Sequence, residues 1–291
     1  MVIDVTVFND PGCPWSYSAT PALTLMHWRY GDQLRWRLVT IGLTERAEQY
    51  EERGYTPLMM ALSAQDFRRY GMPFAPYRKE RVAATARGCR AIVATRLHAP
   101  EHEWAALRAL QFAQFTTPMV LDDDEQLLEP LSGVPGLDAA RVVGALDDPD
   151  VMVAYERDRA EARTAAGSPT ELQGKTAQTD GPLRYTAPSL IFTAGERRLE
   201  AGGFQPAEAY DVLIANLDPT LDRRPPPDDL DALLKRFPDG LVTQEVAAIM
   251  AEGNAPPDRL AAEAALLELG AQRVSLGDDA LWSPQRVPAA V

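Results

Sequence analysis

Apolar residues along the chain change their period several times, and each change marks an element. Residues 2–8 are dense in Val, Ile, Thr and Phe and run into Asn9-Asp10-Pro11-Gly12, the composition of a buried strand that ends in a turn. Trp15, Ala19, Ala22, Leu23, Met26 and Tyr30 then recur at helical spacing as far as Gly31-Asp32. Pro21 lies inside that pattern and predicts one helix with a kink. Leu34 to Ile41 alternates well enough for a second strand.

From about Thr44 to Ala166 the pattern becomes helical, with the stripe Val82, Ala86, Cys89, Val93 and Leu97 over residues 80–97. Residues 101–115 and 150–166 read as further helices, the second announced by Pro149. Strand character returns at Ser189–Thr193 and Arg197–Ala201, around an Ala194-Gly195-Glu196 turn, and Pro206 is placed as the first residue of a helix through Leu217. Strand, helix, strand, helical insertion, hairpin, helix is the order of a thioredoxin-like α/β fold. The expected division is a core of residues 1–43 and 183–222, a helical insertion with its connecting loop over 44–182, and a C-terminal appendage over 223–291. The appendage opens on the proline-stiffened linker Arg223–Asp229. Helical patterns at 228–237, 243–252 and 257–269 and strands at 273–276 and 280–282 give it a winged-helix-like α+β outline.

Composition narrows the function classes. The chain of 291 residues carries a net charge of −13, and residues 225–291 have five basic residues against eleven acidic ones. That balance repels a phosphate backbone, so no nucleic-acid partner is expected and the appendage reads as a packing or protein-contact element. No apolar stretch approaches the roughly 18 residues of a membrane span, and the first residues enter a strand without a basic, apolar leader, so no membrane partner and a cytosolic location are expected. The two cysteines, Cys13 and Cys89, are too few for a disulfide scaffold, and each is judged as a single thiol.

Cys13 lies in Asp10-Pro-Gly-Cys-Pro-Trp-Ser-Tyr17, where a strand's end meets a helix start. Free N–H groups there favour thiolate over thiol, so a lowered pKa and a nucleophilic sulfur are expected, with Pro14 in the first turn and Ser16 close enough to hydrogen-bond the sulfur. The plainer alternative is a small buried residue in a turn. Pro188, in Tyr185-Thr-Ala-Pro-Ser-Leu, immediately precedes the third core strand and reads as a tight, cis-compatible junction.

Taken together, Cys13-Pro-Trp-Ser-Tyr17, the helical insertion, Thr186-Ala-Pro188 and Gly203-Phe-Gln-Pro206 resemble the DsbA family of the thioredoxin superfamily, in particular its FrnE-like and 2-hydroxychromene-2-carboxylate isomerase-like members. The resemblance covers about residues 1–220. It implies that Cys13 attacks a disulfide while Ala187-Pro188 guides the substrate, which is a disulfide-containing protein or small molecule. Ser16 stands where a dithiol enzyme carries its resolving cysteine, so a low-molecular-weight thiol such as glutathione or mycothiol is the expected co-substrate. Cys89 has two readings, a packed core thiol or a resolving thiol. Glutathione-like isomerase or transferase chemistry and a non-catalytic binding module remain open beside thiol–disulfide exchange.

Weaker signals complete the reading. Lys175 and Arg184 are the basic residues of the polar segment 167–181 and its lead into the proline loop and are candidates for carboxylate contacts, while Trp15 and Tyr17 flank the nucleophile and Thr186 opens the proline loop. His98 and His102 are separated by Pro100, and Asp122–Glu125 lacks the glycine and terminal glutamate of a calcium loop; both read as helix starts, and no metal is expected.

Overall fold

The computed structural model of the protein describes residues 2–285. β1 (Ile3–Asn9) and β2 (Leu34–Thr40) pair in parallel, from Ile3 opposite Leu34 to Asn9 opposite Thr40. Parallel pairing needs a crossover, which α1 (Pro14–Ser18) and α2 (Thr20–Tyr30) supply. The single kinked helix expected here is two helices. Pro21 has no N–H to donate, so α1 closes on Ala19, whose N–H reaches Trp15 O at 3.0 Å, and α2 begins anew.

The insertion is helical: α3 (Glu48–Glu51), α4 (Pro57–Phe67), α5 (Ala86–His98), α6 (Glu103–Thr116), α7 (Asp124–Ser132), α8 (Ala139–Gly144), α9 (Pro149–Ala162) and α10 (Pro169–Leu172). Helices α5 to α9 enclose their own apolar cluster of Ile92, Leu107, Leu110, Leu127, Val142 and Tyr155, with Cys89 packed inside it. The stripe expected over 80–97 is shorter than its spacing implies. Ala84 N–H donates to Asp122, and Thr85 and Ala86 N–H both donate to Thr44 O, so tertiary bonds hold Val82 in an extended lead-in and α5 starts only at Ala86. Leu97 faces solvent. The acidic run Asp122–Glu125 is divided between two structural tasks, Asp123 capping α7 and Asp122 holding Ala84 and Arg81.

A two-residue ladder between β3 (Thr176–Ala177) and β4 (Arg184–Tyr185), too short to leave a period in the sequence, leads into β5 (Ser189–Ala194), β6 (Arg197–Ala201) and α11 (Ala207–Leu217). The four-stranded sheet has the order β2-β1-β5-β6, with β5 antiparallel to both neighbours. Pro206 caps α11 in an extended conformation instead of forming its first residue. Ile3, Val5 and Val7 alternate with half-exposed Asp4 and Thr6. One face of the sheet packs on Leu23 and Met26 of α2 and on Tyr210 and Ile214 of α11. The other carries Phe8, Val39, Ile41 and Ile191 toward Cys13.

The C-terminal segment runs α12 (Leu230–Arg236), β7 (Leu241–Val242), α13 (Thr243–Met250), α14 (Arg259–Leu269), β8 (Gln272–Leu276) and β9 (Asp279–Ser283), with its three strands in the order β7-β9-β8. Helix, short strand, two helices and a hairpin is a winged-helix-like outline. Its core is not separate: Leu233, Leu241, Val246, Leu266 and Trp282 belong to the cluster that contains Val5, Met26 and Phe192. Glu245, with no exposed surface, fixes the junction by accepting from Arg108 Nη1 at 2.9 Å and Nη2 at 2.6 Å, Thr24 Oγ1 at 2.7 Å and Val242 N at 2.8 Å.

Removing one partner of such a pair leaves a buried charge unmet, so Glu245→Ala should lower unfolding stability by about 3–5 kcal/mol in urea titration. A loss below about 1 kcal/mol, the worth of an exposed pair, contradicts the buried junction.

Candidate active site

β1 ends at Asn9 and the chain turns so that Cys13 becomes the N-cap of α1, with Pro14 in its first turn. The buried carboxylate of Asp10 fixes this turn. Its Oδ1 accepts from Gly12 N at 2.8 Å, and its Oδ2 accepts from Leu43 N at 2.9 Å, Thr85 Oγ1 at 2.9 Å and Cys89 Sγ at 3.4 Å. Burial raises the Asp10 pKa against the pull of those same donors. A single acid thereby ties the Cys13 turn to the end of β2 and the start of α5.

Cys13 is 6% exposed, and its thiol donates to Ala187 O at 3.1 Å across the cis Ala187–Pro188 peptide. Burial pushes the thiol up to about 11, helped by the Asp10 charge and opposed by the amides of Ser16 and Trp15 and the Ser16 hydroxyl. The expected neutral-pH thiolate is therefore corrected. Helix α1 has five residues, too few for an appreciable dipole, and desolvation outweighs its free N–H groups. Ser16 Oγ is buried without a hydrogen-bond partner, which leaves its O–H free for the sulfur once that sulfur is charged.

Cys13 opens onto a cavity of about 430 Å³. Tyr50, Tyr55, Phe67, Phe74, Tyr77, Phe115, Met59 and Met60 make its walls apolar and aromatic. Three cations also line it, Arg53, Lys79 and Arg184, and no acidic residue does. Asp122 acts on Lys79, and Asp10 and Asp180 act on Arg184, at longer range than a contact ion pair. Arg184, 6% exposed, donates to Tyr185 O at 3.0 Å and Thr179 Oγ1 at 3.4 Å, while the nearby Asp180 is taken by Arg159 and Arg163. Lys79 Nζ donates to Gln114 Oε1 at 3.0 Å and to Met119 O, and burial lowers its pKa to about 7. Arg53 Nε donates to Gln49 O at 2.6 Å. A second cavity of about 480 Å³ between α2, α6 and the C-terminal segment holds no cysteine.

A cysteine thus heads the first helix and is faced by the cis-proline loop before the third core strand. The DSBA-like thioredoxin domain family matches residues 4–181. The chain belongs to this family. Among solved structures, this DSBA-like chain is similar to the cytosolic disulfide reductase DsbM from Pseudomonas aeruginosa, at 18% identity and a TM-score of 0.51 over 74% of this chain and 98% of that one. It is also similar to a protein assigned as a disulfide isomerase from Nitrosomonas europaea, at 16% identity and a TM-score of 0.56 over 74% and 97%. A third likeness is to a protein assigned as a DsbA oxidoreductase from Streptomyces coelicolor, at 20% identity and a TM-score of 0.55 over 79% and 94%. These identities show a shared fold, that of DsbA-type thiol–disulfide oxidoreductases. No curated protein matches the sequence.

Within this DSBA-like site, Cys13, Pro14, Trp15 and Arg184 share the cavity lining, Ser16 lies beneath the sulfur, and Ala187 and Pro188 face it. Trp15, 39% exposed, stands at the mouth against Phe67, Tyr70 and Phe204. The other candidates lie elsewhere. Tyr17 is buried, stacks on Phe115 and donates to Pro73 O, because its position on α1 turns it into the core. Lys175 lies along Gly202 and Gly203, and Thr186 donates to Lys175 O, so neither lines the cavity. Cys89 belongs to the helical cluster and bonds Asp10; both cysteines are free. Sequence reasoning missed Lys79, Arg53 and Asp10. Only Asp10 left a local signal, an acid set between an apolar strand and a turn.

A thiol held protonated by burial alkylates faster as pH rises, by about tenfold per pH unit from pH 7 past 9. Iodoacetamide kinetics at Cys13 should show that slope, and a rate plateau below about pH 8 contradicts it.

Proposed function

We propose that this DSBA-like chain catalyses thiol–disulfide exchange through Cys13 alone, with an external acidic small thiol resolving the intermediate. The carrying observation is the combination at one cavity of a single thiol, Ser16 where a second thiol would stand, and three basic side chains with no acidic residue in the lining. Cys13 attacks a disulfide RSSR′; the Cys13–S–SR bond forms, the old S–S bond breaks and R′S⁻ leaves with its electron pair. The small thiol's thiolate then attacks the SR sulfur, and Cys13 departs as thiolate under the Ser16 hydroxyl and amide. A second equivalent of the thiol converts the released mixed disulfide to RSH and the thiol's own disulfide, so the small thiol supplies both electrons.

The guanidiniums of Arg53 and Arg184 favour a thiol that carries carboxylates, as glutathione does, over the sugar-bodied mycothiol. The DsbM structure from Pseudomonas aeruginosa includes one with GSH, which supports the same choice. The enclosed aromatic walls suit a small apolar disulfide, or a small electrophile in a thiol-dependent isomerase or transferase reaction, better than a folded protein. A reducing, cytosolic setting is part of the proposal, because a monothiol of this kind depends on a millimolar thiol pool.

Cys13→Ser should abolish glutathione-dependent reduction of a small aromatic disulfide while the melting curve is retained. Arg184→Met should raise KM for glutathione by about tenfold, the worth of one charge-assisted contact, with a smaller change in kcat. Undiminished turnover in the Cys13 variant overturns the proposal, and an unchanged KM in the Arg184 variant removes that residue from thiol binding.

A further inference from the structure

We infer that the C-terminal segment sets the width of the Cys13 cavity, and that Asp278 at its hairpin tip is the positioning residue. The cavity wall formed by Phe74, Ala75 and Tyr77 follows α4 in a stretch whose one regular element is a 3-10 turn at Arg68–Tyr70. Such a stretch cannot satisfy its own backbone, and its partners come from outside.

Phe115 O of α6 accepts from Ala75 N at 2.8 Å and the Tyr17 hydroxyl donates to Pro73 O at 2.9 Å, and the hairpin tip between β8 and β9 holds the part of the wall between Arg68 and Phe74. Asp278 Oδ1 accepts from Phe74 N at 2.9 Å, and Asp278 Oδ2 faces Arg68 Nε at 2.9 Å, so a single carboxylate clamps the wall at two points. Arg259 at the start of α14 donates to Gly71 O at 2.9 Å and pairs with Asp279 at 3.1 Å. The fit is close enough to require glycine on both sides. Gly71 and Gly277 have φ of +87° and +56°. A Cβ on Gly71 would meet Gln244 of α13, and one on Gly277 would lie 3.2 Å from the Phe74 carbonyl.

The wall's position is transmitted to α4. That helix lies over the cavity with Met59, Met60, Ala64 and Phe67, yet buries only Ala61 and exposes Leu58, Met59 and Leu62. A helix with so little of its surface packed takes its place from its ends, and Phe67–Arg68 is the end that Asp278 holds. The C-terminal segment thereby governs which molecules reach the sulfur without touching the reacting atoms. The inference rests on the proposed function only in taking this cavity as the substrate's path to Cys13.

The test uses the full-length protein and two alkylating probes, iodoacetamide and a bulky aryl maleimide, so its readout does not depend on disulfide turnover. Asp278→Ala should speed maleimide modification of Cys13 by about fivefold, the scale of one lost hydrogen bond with its ion pair, and leave the iodoacetamide rate within about twofold. Asp278→Asn, which keeps an acceptor for Phe74 N–H, should recover most of the wild-type ratio. Arg68→Met keeps the Phe74 N–H bond to Asp278 while removing the ion pair and the 3.5 Å bond from Arg68 to Phe74 O, and should move the ratio the same way, which serves if Asp278→Ala loses its cooperative melt. Rates that rise in parallel for both probes, or a ratio that stays fixed in Asp278→Ala and Arg68→Met, overturn the inference. A wild-type protein without disulfide turnover but with the expected ratio change would sink the proposed function alone.

Discussion

The structure turns on one buried carboxylate. Asp10 follows β1 directly, and its two oxygens collect four donors from three parts of the chain: Gly12 in the Cys13 turn, Leu43 after β2, and Thr85 and Cys89 at the start of α5. Such a group must keep every donor to offset its desolvation, so each of those parts is constrained by the other two. The same bonds separate the roles of the two cysteines. Cys89 is spent on Asp10 inside the helical cluster, and Cys13 is left as the thiol that faces the cavity.

Charge placement sharpens the picture. The chain carries 42 acidic residues against 29 basic ones, so carboxylates are available for most arginines. Buried or half-buried guanidiniums such as Arg29, Arg96, Arg108, Arg159 and Arg163 are ion-paired. Against that background, Arg53, Lys79 and Arg184 around one aromatic cavity with no acidic residue in its lining are the groups on which the proposed acidic thiol rests. The raised thiol pKa has a different cause: burial and the nearby Asp10 charge disfavour an isolated thiolate and outweigh the amides of Ser16 and Trp15.

Much of the fold was legible because its strands and long helices are periodic. Ile3, Val5 and Val7 alternate, α6 and α9 carry full helical stripes, and Pro188 could not sit within a strand. The misreadings have local causes. Val82 obeys helical spacing but is held extended by Asp122 and Thr44, and the break at Ala19 follows from a missing donor whose effect falls upstream of Pro21. At the site, Cys13, Trp15, Pro188 and Arg184 were legible from motif and loop. Lys79 and Arg53 were not, because only tertiary folding carries the insertion across the sulfur; Tyr17 and Lys175 were misplaced because closeness in sequence does not decide which way a side chain faces.

The central claim is that Cys13 works without a second protein thiol. Intact-protein and peptide mass spectrometry after brief exposure to glutathione disulfide tests it most directly. The account predicts one glutathione adduct, located on the peptide that contains Cys13 and removed by added glutathione, with Cys89 unmodified. A Cys13–Cys89 disulfide as the dominant product, formed with loss of the adduct, would contradict it.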